Sequence, residues 1–323
     1  MIRVIVPIFE TEHTTHNDIP EPRVSPQTLH LPKAHFSNTP RTGIAAGLPP
    51  IRACLFDMDG LLIDSEDLYT LCTNDLLRQY NKPDLPWSIK AQMQGRPGPY
   101  AAQIFHDWAQ LPLTHDEFIA KQSVLQRKYF PSTQPLPGVP ALLQNLKKSE
   151  RRPEAGQRTY SALATSSHRG NFHLKTDHLA SLFAHFDDEV RVLGDDPRIP
   201  KGRGKPAPDI YFLALETVNA RIRERNLGVS DGKREKEIRP AECLVFEDSV
   251  PGVEAGRRAG MQVVWCPHPG LLNEYRGREG EVLAGLTGMS AEGTEKVGEV
   301  GDAWARLFDD LVGFPFEDYG IEV

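Results

Sequence analysis

Five short apolar runs punctuate the chain, at Ala53 to Phe56, Tyr160 to Ala164, Val190 to Leu193, Cys243 to Phe246 and Gln262 to Cys266. They are nearly continuous in apolar character, as befits parallel strands covered by helices on both faces. From Ile51 onward the pattern is strand then helix. It predicts an α/β fold built on a doubly wound parallel sheet. Between the first two runs, residues 67–135 read as purely helical. Thr114-His115-Asp116-Glu117 supplies a capping box for a helix running toward Phe130, and Pro86 suits the start of another. This block predicts an α-helical cap inserted into a core made of 51–66 and 136–290. Ligands of open α/β sheets bind at the carboxyl edge of the strands, so a cap there would close the site and exclude water.

The remaining segments read differently. Residues 1–50 hold eight prolines and four histidines without helical periodicity, which predicts a disordered tail. Its opening Met1 to Ile8 could form a short strand. Glu10, Glu12 and Asp18 argue against a mitochondrial presequence, and His13 and His16 read as solvated tail rather than a metal site. The charge-rich stretch Arg221 to Pro240 predicts a solvated surface loop. In residues 291–323 the amphipathic stretch Ala303 to Val312 predicts a final helix packed on the core. There is no repeat at a solenoid period.

Composition narrows the function. A net charge of -7 and a pI near 5.9 argue against a general nucleic-acid surface. A small anionic substrate would then need local cations or a metal. No apolar run has the length to span a bilayer, and no basic start precedes an apolar signal core. The four cysteines, Cys54, Cys72, Cys243 and Cys266, are widely spaced without a C-x-x-C pair. They read as reduced core residues of a cytoplasmic monomer with neither nucleic-acid nor membrane partners.

Asp57-Met58-Asp59-Gly60 directly follows the first apolar run. Alternate side chains of a strand share a face, so Asp57 and Asp59 can address one reactant while Met58 turns inward. Gly60 permits a sharp bend. One carboxylate can attack phosphorus while the other protonates the leaving oxygen and later activates water. An EF-hand calcium loop places its glycine and acids differently. Three later segments strengthen the reading: Leu163 to Ser167, Gly204 to Asp209, and Leu244 to Ser249. Thr165 offers a hydroxyl, with the N–H groups that follow it at Ser166, to phosphate oxygens, and Lys205 offers a point charge. Glu247 and Asp248 crowd a place already holding Asp57 and Asp59, which calls for a cation among them. Mg²⁺ fits, on Asp57, the backbone carbonyl of Asp59, and Asp248, with Glu247 as a direct or outer partner. Singly, these segments read as a helix N-cap, a surface lysine and an acidic turn. Their arrival in one order, at the ends of predicted parallel strands, points to phosphoryl transfer through a covalent intermediate.

On these motifs the chain resembles the haloacid dehalogenase-like superfamily of aspartyl-phosphate phosphotransferases, in its branch with a helical cap, over about Ile51 to Pro267. The resemblance implies a Rossmann-like core. It also implies Asp57 as nucleophile, Asp59 as general acid/base, Thr165, Ser166 and Lys205 as phosphate ligands, and Glu247 and Asp248 as Mg²⁺ acids. Longer strings, among them Ala162 to Ser167, Phe172 to Thr176, Val192 to Pro197 and Cys243 to Asp248, are similar to pseudouridine-5′-phosphatases. The N-terminal tail, Ile199 to Arg203 and the Arg221 to Pro240 insertion depart from that pattern. The resemblance implies hydrolysis of a small nucleoside or sugar phosphomonoester. A polyol-phosphate phosphatase and a β-phosphoglucomutase-like mutase stay open, although the mutase branch carries a histidine where this chain has Tyr69. Halide-releasing relatives lack the second aspartate, and a non-enzymatic scaffold would be expected to have lost the acids. Asp64 and Ser65 should order the loop after Gly60. Within the cap, the Gly95-Arg96-Pro97-Gly98 turn puts Arg96 forward as a substrate contact, with His168 and Arg169 beside it.

Overall fold

The fold is seen in a computed structural model that describes residues 47–96, 98–152, 154, 158–287 and 297–323. The expected disordered tail, apart from residues 47–50, lies outside the described residues, as do His13 and His16.

Strands β1 (Ala53–Phe56), β2 (Tyr160–Ala164), β3 (Arg191–Val192), β4 (Cys243–Glu247), β5 (Gln262–Trp265) and β6 (Ala305–Leu307) form one sheet in the order β3-β2-β1-β4-β5-β6. Every neighbouring pair is parallel. Alternate residues of the strands feed two separate apolar layers. Ala53, Leu55, Val245, Val263 and Trp265 face one side, and Cys54, Phe56, Leu244, Phe246 and Val264 face the other. Both faces are therefore dry, which is why the strands read as unbroken apolar runs. The chain leaves β1 for β2 on one side and reaches β4 on the other, so the reversal of strand order falls between β1 and β4. Open sheets of this kind bind their ligands at that crevice.

Helices α1 (Ser65–Gln79), α2 (Trp87–Met93), α3 (Gly98–Ala109) and α4 (His115–Tyr129) build the cap, and α5 (Val139–Glu150) returns the chain to β2. The capping box forms as expected: Glu117 N donates to Thr114 Oγ1 at 3.3 Å, and Thr114 N to the Glu117 carboxylate at 2.8 Å. Leu76, Leu77, Phe105, Ala109, Leu111 and Phe118 give the cap a small core of its own. After β2 come α6 (Arg169–Thr176) and α7 (Ala180–Phe183), then α8 (Asp209–Arg225), α9 (Val250–Arg258), α10 (Pro269–Glu274) and α11 (Glu279–Leu283). Among the described residues no helix is long and apolar enough to cross a membrane. All four cysteines are free, three of them buried and Cys266 half-buried.

Three expectations need correction. The stretch Ala303 to Val312 is not a helix. Val263 N donates to Trp304 O and Phe308 N to Trp265 O, each at 2.8 Å, and Ala305–Leu307 becomes the sixth strand. The backbone groups along the edge of β5 gain partners, a demand that side-chain periodicity does not reveal. The third run is shorter than expected, because Val190 ends a single 3₁₀ turn and only Arg191 and Val192 pair with β2. The Arg221 to Pro240 stretch is no plain solvated loop either. Its first residues continue α8, while Glu235 and Ile238 are buried. Tyr160 OH donates to the Glu235 carboxylate at 2.8 Å, which also pairs with Arg52 and Arg158. A charged residue sinks into a fold when such partners meet it.

Candidate active site

Asp57 N donates to Phe246 O at 3.0 Å, so the β1–β4 ladder runs on until it delivers the Asp57 carboxylate at the crevice. Met58 is buried among the apolar side chains beneath, as the alternation requires. Gly60 then turns at φ +75°, and a side chain there would lie 2.2 Å from Asp248 Oδ2. Glycine is needed both for the turn and for the close approach of the two loops.

Lys205, fully buried, reaches Asp57 Oδ1 and Glu247 Oε1 at 2.5 Å each. Tyr211 OH also donates to Glu247 Oε1, at 2.5 Å, and Ser249 N and Oγ donate to Oε2 at 3.1 and 3.0 Å. Glu247 thus spends both oxygens inside the protein and fixes Lys205 against Asp57. Gly252 makes room for it, since a Cβ there would lie 1.9 Å from the carboxylate. Asp248 is anchored through its carbonyl, which accepts from Trp265 Nε1 at 2.9 Å. Its Oδ2 accepts from Gln94 Nε2 of the cap at 2.5 Å.

Asp59 sits in a different nest. Ser65 Oγ and Ser167 Oγ donate to it at 2.6 Å each, and the ammonium of Lys175 pairs with it directly. Lys175 also donates to Ser167 Oγ at 2.6 Å and to Tyr69 OH at 3.3 Å. In the sequence Lys175 stands only within one of the longer strings, with no chemical role of its own. One signal was available: on α6 it shares a buried face with Phe172 and Thr176, an inward position unusual for lysine.

The other expected residues divide. Ser166 lines the cavity, while Thr165 is wholly buried, its Oγ1 accepting from Ser167 N at 3.1 Å. His168 and Arg96 reach the cavity wall. Arg169 is not among the lining residues, and its backbone N–H goes to Asp195 Oδ1 at 3.0 Å. Asp64 ties the exit of the cap to its return, accepting from Gln134 N at 2.7 Å.

Environment separates the two aspartates. Burial pushes Asp57 up to about 7, against the pull of Lys205, with Glu247 and Asp59 adding to the rise. Burial also acts on Asp59, but Lys175 and the two serine hydroxyls outweigh it and hold the carboxyl below its ordinary range. Burial, Glu247 and Asp57 push Asp248 far up. Oxygens of Asp57, Glu247 and Asp248 lie within 4.8 Å of one another. This all-oxygen set fits a hard divalent cation. The buried Gln94 Oε1, which meets no donor among the described residues, adds an acceptor for the water such an ion retains. With Glu247 engaged, Asp57 and Asp248 are the carboxylates left to hold the ion.

Beneath the cap lies a cavity of about 300 Å³. Its floor presents Asp57, Asp59, Lys205, Asp248 and Ser166, and its roof presents Tyr69, Thr70, Thr73, Gln94 and Arg96, with Leu85 and Met93 as apolar wall. Such a chamber suits a small polar molecule with one anionic end.

A doubly wound sheet with paired aspartates at its switch point and a lysine against each is an arrangement suited to phosphoryl transfer. Residues 51–260 match the haloacid dehalogenase-like hydrolases, and the chain belongs to that family. It is 41% identical over 242 residues to a probable pseudouridine-5′-phosphatase of Saccharomyces cerevisiae, covering 73% of this chain and 93% of that one. It is 34% identical to the mitochondrial (DL)-glycerol-3-phosphatase 1 of Arabidopsis thaliana, over 82% of this chain and 80% of that one. In fold it is similar to CbbY of Rhodobacter sphaeroides, with a TM-score of 0.54 at 18% identity over 82% of this chain and 96% of that one. The expectation of a phosphoric monoester hydrolase agrees with both relatives by sequence.

Proposed function

We propose that the chain is a Mg²⁺-dependent phosphatase that hydrolyses a small phosphomonoester, pseudouridine 5′-phosphate or a similar nucleoside or sugar phosphate, by way of an aspartyl-phosphate. It would act as a cytoplasmic monomer on a free metabolite. The observation that carries this reading is the pairing of Asp57, beside Lys205, with Asp59, beside Lys175, on the floor of one cavity.

Lys205 and Ser166 would receive the phosphate oxygens. Mg²⁺, held by Asp57 and Asp248, would supply positive charge that keeps the nucleophile ionised and offsets its repulsion from the phosphate. Asp57 then attacks phosphorus, and an Asp57–phosphorus bond forms as the bond to the leaving oxygen breaks. Asp59 gives that oxygen its proton. The groups of the protein lower the pKa of Asp59, and a phosphate dianion beside it would raise that value toward the acid role. In the second half Asp59 takes a proton from water as the water oxygen attacks phosphorus and the Asp57–phosphorus bond breaks.

A second reading, a polyol-phosphate phosphatase, is favoured by the glycerol-3-phosphatase relative. Tyr69, which stands where the mutase branch carries a histidine, favours water over a sugar as the final acceptor. Phosphate release across pseudouridine 5′-phosphate, nucleoside monophosphates, glycerol phosphates and hexose phosphates, with Mg²⁺ and with EDTA, separates the readings. Preference for pseudouridine 5′-phosphate supports the first and preference for glycerol phosphate the second; no release from any of them overturns both. Asp57→Asn is expected to abolish release, and full activity in that variant would rule out the covalent route.

A further inference from the structure

The end of α2 brings the cap into contact with the carboxylates of the core. Gln94 closes the last turn, its N–H donating to Lys90 O at 3.0 Å, and its side chain is 7% exposed. Gly95 follows at φ +72°, and a Cβ there would lie 2.4 Å from Ser249 Oγ. Arg96 then reaches the cavity. Two consecutive cap residues, Gln94 and Gly95, therefore sit directly on two consecutive core residues, Asp248 and Ser249. Gln94 Nε2 donates to Asp248 Oδ2 at 2.5 Å across this contact.

We infer that Gln94 is a positioning residue that couples closure of the cap to cation binding at Asp248; this rests on the reading above that Asp57 and Asp248 hold Mg²⁺. A carboxylate offers two oxygens. A neutral amide N–H on one of them fixes the orientation of the group and brings no positive charge to compete with an ion at the other. Groups that orient a metal ligand in this way preorganise it. The bond exists only while the cap is down, because Gln94 belongs to the cap and Asp248 to the core. Closure thus orients the ligand, and by linkage the bound cation favours closure by the same factor. The amide carbonyl points to the same dependence. Among the described residues no donor meets the buried Gln94 Oε1, which leaves that oxygen able to accept from a water of the ion.

Titration calorimetry of MgCl₂ into the full chain and into Gln94→Met, which keeps the side-chain length and removes the N–H, tests the inference. Gln94→Leu is a second variant should methionine pack poorly. The expected result is Mg²⁺ binding to the parent chain and binding about tenfold weaker in the variants. Hydrogen exchange gives a readout independent of activity: Mg²⁺ should raise amide protection in α2 of the parent chain and leave α2 of the variants unchanged. Equal or tighter binding in the variants would overturn the coupling while leaving the Mg²⁺ reading intact, and so would a parent α2 indifferent to Mg²⁺. Failure of the parent chain to bind Mg²⁺ would overturn the reading itself.

Discussion

Asp59 shows how far one side chain's role depends on groups distant in sequence. Its half-buried carboxylate is held by Lys175, 116 residues away, and without that ammonium it would rest on the Ser65 and Ser167 hydroxyls. Lys175→Met is therefore expected to raise the Asp59 pKa and slow the water-activating half of the reaction, lowering kcat by about a hundredfold. Stopped-time phosphate release checks this, with Mg²⁺ affinity as the control that should stay put. A kcat within a few-fold of the parent would remove Lys175 from the mechanism. The same distance explains what the sequence made legible. Asp57, Asp59, Glu247 and Asp248 announce themselves because carboxylates follow apolar runs, and Lys205 because its loop comes in the expected order. Lys175 and Gln94 do not, since one reads as a helix lysine and the other as a polar turn residue. Only folding brings Gln94 to Asp248 across 154 positions.

The strands that form the middle of the sheet were readable because both their faces are dry. The edge strand β6 was not, because its three half-buried residues are shared by a stretch whose spacing suits a helix equally well. Backbone pairing with β5 decided the outcome. The charged insertion misled for the opposite reason: Glu235 looks solvated until Arg52, Arg158 and Tyr160 are seen around it. At the end of α2 the geometry is tight enough to predict from. Gly95→Ala places a methyl against Ser249 in a left-handed backbone, at a cost of about 1–2 kcal/mol for the conformation alone. The cap should be displaced before the core is destabilised. The expected outcome is a KM raised by roughly tenfold or more with a melting temperature lowered by only a few degrees, checked by kinetics and calorimetry on the same sample.

Cap and core also meet along a seam away from the reacting groups. Trp87 stacks on His268 with centroids 4.5 Å apart and lies over Gly270, where a Cβ would come within 2.1 Å of the ring. Lys90 pairs with Glu66 at 3.0 Å, and Asp67 faces His268 at 3.3 Å. Burial, helped by Lys90, lowers the His268 pKa below its ordinary 6.5, against Asp67 and Glu66, which raise it. The unfolded chain then binds a proton at this residue more readily than the folded one. Stability carries no penalty from His268 well above pH 6.5 and falls as the pH drops through that value toward the folded pKa. His268→Phe keeps the stack and removes the titration. The melting temperature of the variant should therefore fall less than that of the parent between pH 7.5 and pH 5.5, and parallel curves would refute the assignment.

The strand order has a consequence for how the molecule is made. β1 is synthesised first of the strands yet lies in the interior of the sheet, and its two neighbours are supplied only by β2 and β4. The helical cap emerges from the ribosome between them, with local contacts and a small core that can form early. The apolar segment carrying the nucleophile must wait, unpaired, until β2 emerges at Tyr160, and the site waits longer, since Lys205 lies 148 positions beyond Asp57 and Asp248 later still. Catalytic competence thus arrives late in translation, and no nascent fragment ending before Asp248 can assemble the site.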